Sequence, residues 1–224
     1  MKIFQNNKFS QIYQKKMIPE SKELDPQYFL FPGEKNQPKE YKGHKDRVLD
    51  LGFNYDGSKL ASTSGDTKII IWNLQNSQLD KSIELKGHND FVEKIAWHPE
   101  NENLLVSVSA DKTVKFWDVR LKGAIRTEKS KNANLNVSWH PEGNIIAVGG
   151  AKDNSINFYD FKKGESSFKH QLKLDHFEFE GRRFDNVGIN ELSWNKTGSV
   201  FITSCSEKMA SLLLFDGKKL DFPV

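Results

Sequence analysis

Gly43-His44…Trp72-Asn73 and Gly87-His88…Trp117-Asp118 are the stretches that decide how this chain folds. Trp72 stands 28 residues after His44, Trp117 stands 29 after His88, and the whole unit recurs after 44 residues. A repeat of this length is one supersecondary unit. It cannot bury its apolar faces alone, so several copies must stack and share a core.

Working outward, four such units run from Tyr41 onward. Each opens with an alternating run that ends in an aromatic: Val48–Phe53, Val92–Trp97, Leu135–Trp139 and Ile189–Trp194. Period-two alternation of this length predicts strands. Turn formers follow each time: Asn54-Tyr55-Asp56-Gly57, His98-Pro99-Glu100-Asn101, His140-Pro141-Glu142-Gly143 and Asn195-Lys196-Thr197-Gly198. A second strand is predicted at 60–64, 104–109, 145–149 and 200–204. A third ends in an aromatic at Trp72, Trp117, Tyr159 and Phe215. The first-strand aromatics are spaced by 44, 42 and 55 residues, so the third unit carries an insertion near 162–187.

Four polar side chains recur at matching offsets. They are His44, Ser62, Asp66 and Trp72 in the first unit, and His88, Ser107, Asp111 and Trp117 in the second. In both sets Trp follows Asp by six residues and Ser by ten. Buried polar groups need partners. His can bridge a carboxylate and a hydroxyl while Trp donates its indole N–H and fills the space between sheets. Ser, His and Asp also make up a catalytic set, but one that recurs in each repeat reads as structure. The third unit keeps Asp153 six residues before Tyr159 without a Gly-His. The fourth has neither and ends Leu214-Phe215-Asp216.

A Gly-His opening and a Trp-Asp close at a period in the low forties resemble the WD40 repeat. That resemblance covers about residues 41–216 and implies an all-β propeller with about four blades visible. Their expected bounds are 41–85, 86–130, 131–187 and 188–224, after an N-terminal extension over 1–40. The extension is polar, apart from Tyr28-Phe29-Leu30-Phe31, and is expected to be partly disordered with that aromatic patch docking on the rim. The resemblance implies a platform for partners and no enzyme.

Composition narrows the function further. Hydrophobic residues are 37% of 224, and no run of 18 apolar residues exists, so no membrane partner is expected. The start lacks the apolar core of a signal peptide. Cys205 is the single cysteine, which allows no internal disulfide and points to an intracellular chain. No metal site or cofactor is expected. His98 and His140 each precede a proline at a turn, and no phosphate loop, dinucleotide motif or zincin motif occurs.

Net charge is +3, too small by itself to mark a nucleic-acid binder. Two stretches are basic enough to weigh for weak RNA contact. One holds Arg120, Lys122, Arg126, Lys129 and Lys131. The other holds Arg182 and Arg183 among Phe177, Phe179 and Phe184 in the insertion. A solvated outer strand and a blade-packing loop explain these stretches as well.

Several segments resemble the WD40 subunits of THO-type complexes in transcription-coupled mRNA export. They are Lys42–Val48, Ala96–Pro99, Ser109–Arg120, Asn134–Trp139 with the following Pro141-Glu142-Gly143, and above all Val187–Asn195. Gly-His is also absent from the third and fourth blades in that family. The resemblance implies a non-catalytic nuclear scaffold whose partners are other export-complex subunits, with RNA reached through them. It also implies a seven-blade ring. The expectation is therefore that Val224 marks an artificial or gene-model end with C-terminal blades missing, or that a further chain completes the ring. A rival reading is a substrate receptor of a cullin-type ubiquitin ligase. Trp117-Asp118-Val119-Arg120 fits the WDxR box, with Trp117, Asp118 and Arg120 as the adaptor-docking residues.

Overall fold

The computed structural model describes residues 40–75, 78–152, 155–161, 168–173, 177–179, 182–184, 188–205, 209–215 and 220–221. The expected extension over 1–40 falls outside them except for Glu40, as does Asp153. The described residues hold strands and turns without a helix.

Four antiparallel sheets of four strands follow one another, each with its strands in chain order. The first contains β1 (Val48–Phe53), β2 (Lys59–Ser64), β3 (Ile69–Gln75) and β4 (Gln78–Leu85). The second contains β5 (Val92–Trp97), β6 (Leu104–Ser109), β7 (Thr113–Asp118) and β8 (Ala124–Lys129). The third contains β9 (Asn134–Trp139), β10 (Ile145–Gly150), β11 (Ser155–Asp160) and β12 (Phe168–Lys173). A two-stranded ribbon, β13 (Phe177–Phe179) with β14 (Arg182–Phe184), comes next. The fourth sheet contains β15 (Ile189–Trp194), β16 (Val200–Cys205), β17 (Met209–Phe215) and β18 (Leu220–Asp221). These are four blades of a β-propeller. The insertion, expected as an outer strand plus loop, contains a hairpin as well.

The register repeats from blade to blade. Leu51 pairs with Ser62, Ile95 with Ser107, Val137 with Val148 and Leu192 with Thr203. Each first strand shifts register near its start, at Val48/Asp50, Val92/Lys94 and Ile189/Glu191 in blades one, two and four. Such bulges increase the local twist that stacked blades need. The turn into the third strand is also repeated, with Thr67 at φ 71° and Lys112 at φ 65°. Non-glycine residues adopt that left-handed region only where the surroundings hold them. Here Asp66 accepts from the Lys68 N–H at 3.1 Å and Asp111 from the Thr113 N–H at 2.9 Å.

The core lies between blades. Ala61, Ile69, Ile71 and Leu85 of the first blade pack on Val92, Ile95, Leu105 and Trp117 of the second. Val106, Val108, Val114 and Phe116 pack on Val137, Trp139, Ile146 and Tyr159 of the third. Ile145, Ala147, Ile156 and Phe158 pack on Ile189 and Leu192 of the fourth. Apolar area leaves water only when one sheet covers the next, so stacking carries the stability.

Candidate functional site

The recurring polar residues come together in both blades. His44 Nε2 lies 2.7 Å from Ser62 Oγ, and its Nδ1 lies 3.1 Å from Asp66 Oδ2. Trp72 donates its indole N–H to the same Ser62 oxygen at 2.9 Å. In the second blade His88 reaches Ser107 at 2.7 Å and Asp111 at 2.9 Å, and Trp117 donates to Ser107 at 2.8 Å. One proton arrangement satisfies every atom. Trp donates to Ser, Ser donates to the His Nε2, and His Nδ1–H donates to Asp. The Asp also holds the loop at its own start, accepting from the backbone of Lys45 or Asn89 at 2.8 and 2.9 Å.

The glycine before His44 has a steric reason. A Cβ on Gly43 would come within 2.8 Å of the Trp72 ring edge. Electrostatics agree with the proton arrangement. Burial holds the His88 pKa below its ordinary value despite the Asp111 carboxylate. Burial alone would raise Asp111, but the Thr113 hydroxyl, the Asn89 N–H and His88 outweigh it and pull the carboxyl down to about 2. Ser62 and Ser107 are buried, and each accepts from a Trp. Both serine oxygens are thus engaged on two sides within the network.

Sequence reasoning passed over a second repeated device. In the first three blades the residue after the first-strand aromatic reaches into the next blade. Asn54 Nδ2 donates to Glu102 O, His98 Nε2 to Gly143 O and His140 Nε2 to Gly198 O, each at 3.2 Å. Each imidazole also accepts a backbone N–H at Nδ1, from Glu100 at 3.1 Å and Glu142 at 3.2 Å. The two contacts together require the neutral Nε2–H form. The signal was present in the repeated His-Pro-Glu, which reads as a turn until the neighbouring blade is known.

The inner strands carry a polar row that bridges blades. Asp50 accepts from the Ile95 N–H at 3.0 Å. Lys94 of the second blade pairs with Glu191 of the fourth at 2.9 Å, and Asn136 of the third donates to Asn190 O at 2.7 Å. At one end of this row Arg47 stands 5.2 Å from the Phe91 ring centre, beside Glu93, whose pKa burial raises. A convergent surface of charge and aromatic area suits a peptide or protein partner better than a small molecule.

The three residues expected to dock an adaptor differ in exposure. Trp117 is fully buried, whereas Arg120 is exposed and gripped by Asp118, with Nε at 2.9 Å and Nη2 at 2.5 Å. That contact lowers the Asp118 pKa. The expected basic stretch divides. Arg120 and Lys122 lie at the turn before β8, and Lys129 and Lys131 lie at its far end. Arg126 turns inward against the Phe116 and Phe161 rings, 4.1 and 5.5 Å from their centres. Arg182 and Arg183 sit on β14, and their side chains fall outside the described residues. No group of three metal-ligating side chains occurs among the described residues.

The chain matches the WD40 family, described as WD domain, G-beta repeat, over residues 35–73, 80–118 and 132–160. It is 30% identical over 183 residues to THO complex subunit 3 of Arabidopsis thaliana, covering 81% of this chain and 54% of that protein. It is 33% identical over 118 residues to the WD repeat-containing protein AAC3 of Dictyostelium discoideum, covering 44% of this chain and 25% of the relative. Over 78 residues it is 37% identical to the B-type cell cycle switch protein ccs52B of Medicago truncatula, covering 34% and 16%. The chain thus spans about half the length of the Arabidopsis protein and less of the others. Four blades in register, two of them with the His–Ser–Asp–Trp network, and a family match across three repeats lead to one conclusion: the chain belongs to the WD40 repeat family.

Proposed function

We propose that this chain is a non-catalytic scaffold subunit of a THO-like complex, acting in the nucleus in mRNA processing and export. One observation carries the reading. Similarity to THO complex subunit 3 runs over 81% of the chain, while AAC3 and ccs52B match 44% and 34%. Residues 41–224 form the platform in this reading and residues 1–40 an extension. The partners are other subunits of the complex, and RNA is reached through them. The inner row around Arg47, Phe91 and Glu93 supports a partner-binding role because it clusters charge and aromatic surface at one place. A tagged pull-down from nuclear extract, with and without RNase, tests this. Recovery of THO subunits that resists RNase supports the reading, and their absence in both arms overturns it.

A second reading has one observation in its favour. Arg120 is held out at the surface by Asp118, at the end of a Trp-Asp-x-Arg run. Such an Arg fits docking on the adaptor of a cullin-type ubiquitin ligase. Recovery of that adaptor in the same pull-down, lost on Arg120→Ala, favours this reading. Recovery of THO subunits unaffected by Arg120→Ala removes it.

A further inference from the structure

The two rims of the blades differ in charge. Strands within each blade alternate in direction. The loops before each first strand and those between second and third strands therefore share one rim, and the remaining loops share the other. On the second rim charge is balanced. Exposed Asp56, Glu100 and Glu142 stand against exposed Arg120, Lys122 and Lys196, and Asp118 already holds Arg120. The first rim is unbalanced. Lys45, Arg47, Lys86, Lys112, Lys131 and Lys152 are exposed there, and the exposed carboxylates in its described loops are those of Asp46 and Asp90.

The loops that carry these cations are fixed by hydrogen bonds. The Lys45 N–H donates to Asp66 at 2.8 Å, the Gly65 N–H to Arg47 O at 3.1 Å and Ser64 Oγ to Asp46 O at 3.1 Å. The second blade repeats the set, with Asn89 on Asp111, Ala110 on Phe91 O and Ser109 on Asp90 O. Both exposed carboxylates turn onto their own loops. Asp46 accepts from the Arg47 N–H at 2.7 Å and Asp90 from the Phe91 N–H at 2.8 Å. Ser130 donates to Lys112 O through its N–H at 2.8 Å and its Oγ at 3.0 Å, and Thr113 pairs with Lys129. This clasp gathers Lys112, Lys129 and Lys131 at one corner of the rim. None of Lys45, Lys112, Lys129, Lys131 and Lys152 forms an ion pair among the described residues. Gathered like charges repel one another. Residues 1–39 cannot neutralise them, because that segment holds seven lysines against four acidic residues.

We propose that this rim docks an acidic segment of a partner protein, whose Asp and Glu carboxylates pair with Lys45, Lys112 and Lys131. Charge complementarity selects an acidic occupant. Two features select a peptide over a nucleic acid. Single-stranded nucleic acid binds through aromatic rings that stack on its bases. From Lys42 onward Phe91 is the one Phe, Tyr or Trp in the described loops of this rim, and Arg47 takes a face of its ring at 5.2 Å. Asp46 and Asp90 also stand among the cations. A peptide can set neutral residues opposite them, whereas every nucleotide of a strand brings a phosphate. Exposed charges of this kind act chiefly by steering the encounter. This proposal is independent of the export-complex reading.

Fluorescence anisotropy with the full chain tests it, using a labelled peptide of alternating Glu and Ser and a labelled uridine RNA of equal length. The peptide should bind more tightly than the RNA, and its affinity should fall as salt is raised. Lys112→Glu combined with Lys131→Glu should weaken peptide binding about tenfold. Both side chains are exposed, so the pair should keep the wild-type circular dichroism. Lys122→Glu combined with Lys196→Glu makes the same change of charge on the opposite rim and should leave peptide affinity unchanged. Absence of peptide binding, tighter binding of the RNA, or an equal loss from both pairs of substitutions would each overturn the proposal, the last by showing attraction to net charge without a docking rim.

Discussion

Arg126 and Phe116 form a cation–π contact at a blade seam, the guanidinium 4.1 Å from the ring centre, and Phe161 stacks on Phe116 at 5.7 Å. A residue that reads as a surface cation in the sequence is thereby part of the packing between blades. Arg126→Ala should lower stability by about 1–2 kcal/mol through lost stem packing and lost cation–π attraction. Urea unfolding monitored by tryptophan fluorescence gives the value. A midpoint equal to wild type would show that the seam does not depend on this contact.

Lys129 and Lys131 lie at the far end of β8, away from Arg120 and Lys122. A basic surface split in this way should not bind RNA strongly. Affinity for a single-stranded RNA should be weak, and neutralising Lys129 and Lys131 should change the salt slope by about 2 or less. Filter binding at several salt concentrations measures it, and a much steeper slope would show a phosphate-binding surface elsewhere on the chain.

Trp117→Ala and Asp111→Ala should each cost about 2–4 kcal/mol, the first by leaving a cavity and the second by orphaning His88 and two backbone donors. Ser107→Ala removes the atom that joins Trp117 to His88 and should cost about 1–3 kcal/mol. Thermal and urea unfolding would show whether the penalties fall in this order.

Stability should fall with acid in two stages. His88 and His98 are held below 6.5 by burial, so the unfolded chain takes up protons first as pH falls past that value and the native state loses ground. Asp111, at about 2 against an ordinary 3.8, stays ionised in the native state. The stability it supplies is complete above 3.8 and is lost as pH falls toward 2. Urea midpoints measured between about pH 7 and about pH 3 should therefore decline throughout, and a midpoint that rises on acidification would contradict both assignments.

Gly143→Ala should destabilise by about 2–3 kcal/mol, because an alanine would be strained at φ 66° and its Cβ would meet the His98 ring. The double change with His98→Ala should cost less than the sum of the two single changes. A double-mutant cycle measures the difference, and strict additivity would mean that ring and glycine do not interact.

The sequence by itself determined the repeats, the strand order within each blade and the membership of the His–Ser–Asp–Trp sets. Those features are local. Alternation is set by the two-residue period of a strand, and the offsets of six and ten residues from Asp111 and Ser107 to Trp117 lie within one hairpin of adjacent strands. An outer strand such as β8 was less legible, because one face is solvated and its residues are mostly polar. The tertiary structure alone decided what happens between blades. It turned His98 and His140 from turn residues into donors to Gly143 and Gly198, drew Arg126 into the seam, and paired Lys94 with Glu191 across 97 residues. Such contacts join positions far apart in the chain, and their geometry exists only after one sheet has stacked on the next.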